Sequence, residues 1–350
     1  MSLNQAAMKG LNAYASELAK SYGISNTEKL FSITGPKETQ LRQVILASED
    51  FLKRITVMDV DQITGQVVDV GALGLHTGRK AGGRFDKKAD VSGNTYYLVE
   101  TDSCCSITWD TLSVWANSGS TGEFLKIVSN SANIAFALDM LRVGFNGVKA
   151  AETTDPDTNP NGEDVNTGWQ ALVAAKSPEQ ICSVDVYLDA AGGGDFKTLD
   201  AMASDLINNF IPPEFRNHPG LTVLVGADLV AEESARLYDQ ADKPSEKKAA
   251  QQLPFSIAGR PAVVPPFMPG KRMVVTILSN LHIYTQKNTR KRKAKDNEDR
   301  KAFENTYLRW EGYAVGNHNA YAAFDETKVH IGPNPSPAAV SEEPTQDPIV

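Results

Sequence analysis

From Gly122 to Phe145 the inward-type residues return at helical intervals without a break: Phe124, Ile127, Val128, Ser131, Ile134, Ala135, Leu138, Leu141 and Phe145 make one stripe. At 1.5 Å per residue such a helix is roughly 35 Å long, and Gly144 and Gly147 end it. A rod of that length needs a large body to cover its apolar face, so the rest of the chain must build around it. The pattern predicts a scaffold element and carries no catalytic motif.

Upstream of this rod the chain changes character several times. Met8, Leu11, Tyr14, Leu18 and Tyr22 recur at steps of three and four, which predicts an amphipathic helix closed by Gly23. The polar stretch Ser25 to Lys29 after it makes that helix look detachable. Pro36 opens a second helix with Leu41, Val44, Ile45, Ser48 and Leu52 on one face. Ile55, Val57, Val67, Val68 and Val70 then read as strands. Six glycines between Gly71 and Gly93 are mixed with Arg79, Lys80, Arg84, Lys87 and Lys88. This is a surface hairpin too long for the loop of a compact domain, and its length predicts that it reaches another molecule. Tyr96 to Trp109 returns as a strand.

Downstream, Asp155 to Gly162 is turn-rich, and Val165 to Ala175 is expected as a short helix around Trp169. Strand and helix then alternate between about 184 and 286, which predicts an α/β region with its own core. Its strands are Val184–Leu188, Leu221–Val225, Met273–Leu278 and Leu281–Gln286. Its helices are Phe196–Ile211, stopped by Pro212-Pro213, and Asp228–Tyr238. Asn305–Val315 and Asn319–Ile331 read as an antiparallel pair around Gly316-Asn317-His318. From Gly332 the prolines, with Glu342, Glu343 and Asp347, predict a disordered tail.

The balance of 35 basic and 43 acidic residues, a net −8, argues against a protein whose main task is gripping nucleic acid. Cys104, Cys105 and Cys182 are an odd set with two adjacent members, so no disulfide framework is expected. Asn4, Gln5, Lys9, Asn12, Glu17 and Lys20 interrupt any secretory core, and no apolar run reaches the ~20 residues of a membrane span. A soluble protein made in the cytoplasm is the expectation.

Features with chemical potential are few. Gly192-Gly193-Gly194 runs into Asp195, which breaks both phosphate-binding glycine patterns and reads as a helix N-cap. The histidines His76, His218, His282, His318 and His330 are scattered, with His282 expected as a structural residue on a strand. No catalytic residue, metal ligand or cofactor site is expected. Arg290-Lys291-Arg292-Lys293 with Lys295 is the densest charge cluster. It reads as a solvated connector, because Asp296, Glu298 and Asp299 offset it, with a contact between subunits left open.

Two strings go further. Phe145-Asn146-Gly147-Val148-Lys149-Ala150-Ala151-Glu152-Thr153-Thr154-Asp155, followed by Asn159-Pro160 and Asp164-Val165, resembles the signature after the long helix in major capsid proteins of P2-like (peduovirus-type) tailed bacteriophages. Gly193-Gly194-Asp195-Phe196 with Leu199-Asp200-Ala201 and Asn208-Asn209 is similar to a second signature of that family. Smaller echoes are Asn12-Ala13-Tyr14, Ser48 with Asp50-Phe51-Leu52, Arg54-Ile55, Val225-Gly226 and Pro261-Ala262-Val263, in family order from about 10 to 330.

The resemblance implies an α+β Hong Kong 97-like capsid fold. Its expected parts are an N-terminal assembly segment at 1–31, an arm at 32–59 and an extended loop at 60–108. A peripheral domain with a spine helix follows at 109–183 and 287–332, an axial domain at 184–286 and a tail at 333–350. It further implies a non-enzymatic head protein of the virion that forms hexamers and pentamers around packaged double-stranded DNA. Expected partners are a scaffold/protease protein and a portal, with a decoration protein left open. Removal of the N-terminal segment would fall near Leu30, Phe31 and Ser32, and Arg79, Lys80, Arg84, Lys87 and Lys88 would contact a neighbouring subunit. Two rival readings stand beside it: an α/β nucleotide-handling enzyme, and a tail or decoration component.

Overall fold

In a computed structural model of the chain, which describes residues 3–67, 77–84, 94–117, 120–240 and 256–335, the N-terminal pattern is helix α1 (Gln5–Tyr22). Asn4 caps it by accepting from the Ala6 amide, and Gly23 closes it in the left-handed conformation at φ 70°. Ala7, Gly10, Leu11, Tyr14 and Leu18 are buried, whereas Met8 is 51% exposed. Leu11, Tyr14 and Leu18 thus face inward as expected, Met8 does not, and Gly10 lets α1 press on the Phe124 ring, where a Cβ would come within 2.6 Å. The segment that looks detachable is docked on the body, in one cluster with Ile107, Leu112, Phe124, Val128 and Phe303.

Strand β1 (Phe31–Ser32) and helix α2 (Pro36–Ala47) follow, with Pro36 in the first turn where its missing N–H costs nothing. Leu41 and Ile45 point inward with Glu38, while Val44 is exposed and Leu52 lies past the helix end, so the face is narrower than expected. Next come β2 (Thr56–Val60), β3 (Thr64–Gln66), β4 (Thr95–Tyr97) and β5 (Val99–Thr108). β3 and β4 pair antiparallel, Thr64 opposite Tyr97, at the foot of the expected hairpin. Val68 and Val70 lie outside the described residues.

Helix α3 (Trp109–Asn117) leads to the long rod α4 (Thr121–Asn146), which starts with a complete capping box between Ser120 and Glu123. Its inward line is Phe124, Val128, Ala132, Phe136 and Met140, with Ala137 and Leu141. Ile127 and Ile134 of the expected stripe are exposed instead. The helix is apolar on most sides, so periodicity alone does not choose a face. Ala132 and Ala137 lie on the buried side, and at Gly144 a Cβ would come within 2.6 Å of the Trp169 ring.

Helix α5 (Trp169–Lys176) begins later than expected, because 147–168 is an ordered loop. After β6 (Ile181–Cys182) and β7 (Val186–Leu188), α6 (Leu199–Asp205) widens into a π-turn over Leu206–Phe210. This helix starts at Leu199, not Phe196: the Phe196 amide donates to the Tyr187 carbonyl, and Thr198 is the cap. Pro213 stops the first helix but also opens the short α7 (Pro213–Arg216). β8 (Leu221–Val225), α8 (Ala227–Gln240), β9 (Ser256–Ile257), β10 (Arg260–Val263), β11 (Met273–Ile277) and β12 (Leu281–Gln286) complete this stretch. The last strands are β13 (Lys291–Asn297), β14 (Ala302–Val315), β15 (Tyr321–Phe324) and β16 (Val329–Ile331).

Two six-stranded sheets organise these elements. The first runs β1-β13-β14-β12-β2, with β5 on the other side of β14. The second runs β6-β15-β11-β8-β10-β9. Two expectations fail here. Asn305–Val315 and Asn319–Ile331 do not pair: β14 stays in the first sheet, while β15 crosses to the second beside β11. Likewise the α/β core of 184–286 ends at Ile277, since β12 belongs to the first sheet, parallel to β2. β11 and β15 are buried on both faces, which explains their unbroken apolar runs. Val223, Val225, Met273, Val275 and Phe324 face α6, whereas Leu224, Val274, Tyr321 and Ala323 face the end of α4 and Trp169. Among the described residues no helix is long and apolar enough to cross a membrane. The tail expected from Pro333 lies, from 336 onward, outside the described residues.

Candidate assembly surfaces

The first signature string is a clasp. Val148 and Lys149 amides donate to the Glu163 carbonyl at 2.8 and 3.1 Å, and the Ala151 amide to Asp164 at 2.8 Å. The Asp164 carboxylate accepts from the Asp155 amide at 2.7 Å and from Asn159 Nδ2 at 3.1 Å. Asn166 Nδ2 reaches the Glu311 carbonyl at 3.0 Å, and Trp169 Nε1 the His282 carbonyl at 3.0 Å, so the loop ties α4 to the first sheet. Its glycines sit where chains touch: a Cβ at Gly144 would lie 2.6 Å from the Trp169 ring and one at Gly168 2.6 Å from the Gly144 carbonyl. These residue types are therefore explained by packing.

The second string has the same character. Asp195 does not cap a helix; its Oδ2 accepts from the Tyr187 amide at 2.9 Å. Asp189 Oδ2 takes the Gly193 amide at 2.8 Å, and the Asn334 amide donates to the Gly193 carbonyl at 2.8 Å. A Cβ at Gly194 would lie 2.5 Å from the Tyr187 carbonyl. The Gly192, Gly193 and Phe196 amides are engaged with the chain itself, which argues against a phosphate cradle at these glycines.

The basic run is not a solvated connector. Lys291, Arg292, Lys293 and Lys295 lie in β13 and Arg290 directly precedes it, and Arg290 and Arg292 are 1% and 4% exposed. Strand alternation turns every second residue inward, which a run of charges in the sequence conceals. Arg290 pairs with Glu38 of α2 and Asp59 of β2, and its Nε donates to the Tyr307 hydroxyl at 3.1 Å. Arg42 reaches Asp59 at 2.7 Å, so the arm is held to the sheet through one ionic node. A second node lies on β14: Arg309 meets Glu311 through Nε at 2.6 Å and Nη2 at 2.9 Å, and Ser103 Oγ through Nη1 at 2.9 Å. Burial disfavours the Arg309 charge, yet Glu311, joined by Tyr307 and Tyr313, holds the guanidinium above its usual pKa. Burial and then Glu311 push the Tyr313 phenol well up. Neither node was legible as such; charged residues at inward positions of a strand were the available signal.

The expected contact residues lie apart from these nodes. Arg79, Lys80 and Arg84 are exposed, while Lys87 and Lys88 lie outside the described residues. At the hairpin foot Tyr96 packs on Tyr284 with ring centroids 4.7 Å apart, and Tyr97 is 63% exposed. Lys176 Nζ holds the same foot through the Thr95 carbonyl at 3.0 Å and Asn94 Oδ1 at 3.3 Å. Leu30 is exposed, and Phe31 and Ser32 form a two-residue ladder with Arg292 and Lys291.

A cleft of about 370 Å3 opens between β5, β14, α4 and the clasp, lined by Asp102, Asp139, Arg142, Arg309 and Glu311 among others. Burial pushes Asp102 and Asp139 upward, while Arg309 beside Asp102 and Arg142 beside Asp139 work against that shift. Ser103 Oγ in this cleft accepts from Arg309, and among the described residues no group of three His, Cys, Asp or Glu side chains is placed to hold a metal. His282 is a structural residue, bonded to the Tyr284 hydroxyl at 2.7 Å and the Ser279 carbonyl at 3.0 Å.

Comparison with known proteins accords with a body built around clasps and surfaces. The chain is 29% identical over 351 aligned residues to the capsid proteins of Escherichia phage P2, spanning 95% of this chain and 97% of the relative. It is 22% identical over 283 residues to the major capsid protein of Serratia phage KSP20, spanning 76% and 80%. Among solved structures, the satellite phage P4 procapsid including size determination (Sid) protein matches with a TM-score of 0.73 and 26% identity, over 95% of this chain and 99% of that one. The profile of the phage major capsid protein, P2 family, matches residues 10–327, which take in both signature strings, both ionic nodes and both sheets. The chain therefore belongs to the P2 family of phage major capsid proteins and is a subunit of the phage shell.

Proposed function

We propose that copies of this chain form hexamers and pentamers that close into an icosahedral shell, enclosing double-stranded DNA without reading its sequence. The observation that carries this is the match of nearly the whole chain to a procapsid subunit. Each contact between copies needs only ~1,000 Å2 or more of buried surface, and many such contacts acting together hold a shell. The net charge of −8 suits an enclosure that does not adhere to its contents. No catalytic step is assigned to the subunit.

In this reading α4 is the spine of a peripheral domain with the first sheet, and the second sheet is the axial domain at the centre of each capsomer. The β3–β4 hairpin, with Arg79, Lys80, Arg84, Lys87 and Lys88, lies over a neighbouring copy. Residues 1–31 act during assembly, through a scaffold/protease protein, and are then cut away near Leu30, Phe31 and Ser32. The exposure of Leu30 and the shortness of the β1 ladder favour that position. A portal completes the expected partners, with a decoration protein left open.

Electron microscopy of the chain expressed alone and with its scaffold tests the assembly: shells, tubes or capsomers are expected, and a strictly monomeric protein at high concentration sinks the reading. Mass spectrometry of mature particles tests the processing, with a mass lacking about the first 30 residues expected and an intact Met1 as the contrary result.

A further inference from the structure

The surface under the N-terminal helix is only partly matched to it. Six body residues, Ile107, Leu112, Phe124, Val128, Ala294 and Phe303, form the apolar seat on which Leu3, Ala7, Leu11, Tyr14 and Leu18 rest. At one end that seat turns polar, with Arg292 4% exposed and Asn305 0% exposed. Tyr14 reaches both: its hydroxyl donates to Asn305 Oδ1 at 3.3 Å and lies within electrostatic reach of Arg292. Nη2 of Arg292 and Nδ2 of Asn305 remain buried donors without an acceptor.

The contrast with the neighbouring arginines is informative. Arg290 and Arg309 each hold a carboxylate, whereas Arg292 has a phenol and the face of Phe136 at 6.0 Å. Among the described residues no carboxylate pairs with it. Burial pushes the Tyr14 phenol up, so the cation faces a neutral hydroxyl. A buried guanidinium in that state is costly, and a charged acceptor is the group that would relieve it.

We propose that this seat, once the N-terminal segment has left, is a docking site for an amphipathic helix of a partner protein that sets one carboxylate over Arg292. The proposal rests on the reading that the segment is removed. A glutamate at the place of Tyr14 accepts from Arg292 Nη2 and Asn305 Nδ2 together. Apolar residues seven and three positions before it and four after it take the places of Ala7, Leu11 and Leu18 on the same helix face. The outgoing helix is thus a placeholder, matched in shape but not in charge.

The test uses the full chain carrying a site-specific protease sequence between Gly23 and Lys29, folded and then nicked. Labelled peptides of residues 3–22, native and Tyr14→Glu, are exchanged into the seat and their dissociation constants read by anisotropy. The Tyr14→Glu peptide is expected to bind about tenfold tighter, the scale of one charge-assisted bond. With Arg292→Met in the body that advantage is expected to vanish. Equal or tighter binding of the native peptide, an advantage that survives Arg292→Met, or no binding of either peptide overturns the proposal. An intact Met1 in mature particles would instead defeat the vacating of the seat while leaving the peptide preference untouched, so the two failures are distinguishable.

Discussion

The two sheets are held together by different physics. The second is packed chiefly by Leu, Val, Met, Ile and Ala: Leu221, Val223, Val225, Met273 and Val275 meet Met202 and Leu206, and the Arg272–Glu326 ion pair lies at its margin, just before β11 and just after β15. The first is laced with buried charge, Arg290 with Glu38 and Asp59, Arg309 with Glu311. Apolar burial is non-directional and tolerates small shifts, whereas a buried ion pair is strongly destabilising once one partner is lost. The first sheet is therefore the region where α2, β2, α4 and the clasp are fixed relative to one another by direction as well as by area.

This contrast can be broken at its strongest point. Glu311→Ala leaves Arg309 buried without its carboxylate and is expected to cost about 3–5 kcal/mol, measured by urea unfolding of the soluble subunit. Replacing Arg309 and Glu311 together by Met and Leu should recover much of that loss; if the double variant is as unstable as the single one, the node contributes by packing and not by charge. Met202→Ala in the second sheet's core is expected to cost about 2–5 kcal/mol as a cavity, with no rescue by any single charge-removing change nearby.

The clasp is expected to respond more weakly. At Gly147 a Cβ would collide with the Asn166 carbonyl, so Gly147→Ala should cost about 1–3 kcal/mol through overpacking, seen as a lower urea midpoint. His318 offers a still smaller, pH-dependent effect. Burial first and Lys176 second hold its pKa below the ordinary histidine value, with Glu179 opposing. The unfolded chain therefore binds the proton more readily than the folded one. The stability this confers is complete above about pH 6.5 and is lost as pH falls through the folded pKa. His318→Asn should flatten that part of the urea midpoint's pH profile. At the far end of the scale, reversing Arg79, Lys80 and Arg84 to Glu should change subunit stability by less than about 0.5 kcal/mol while reducing shell yield in light scattering. An unchanged yield would remove these residues from the proposed contact.

Helices and strands were readable where one face had to be apolar. The cap at Gly23, the start at Pro36 and the span of α4 follow from turn chemistry and periodicity alone. The hairpin foot and the two signature strings were also visible, although their meaning as clasps was not. Periodicity was weakest where a segment is apolar on several sides: α4 leaves Ile127 and Ile134 exposed and buries Ala132, Phe136 and Ala137 instead.

By itself the sequence determined the long rod, most of the larger helices and strands around it, the absence of phosphate-binding glycine patterns and the family resemblance, all of which rest on local rules of spacing and residue type. Only the tertiary structure decided that β12 leaves the α/β core, that β15 enters it, and that Arg290, Arg292 and Arg309 turn inward. Strand pairing joins residues far apart in the chain, and a charge can be buried only where another part of the fold brings its partner. Neither condition is written in any local stretch of sequence.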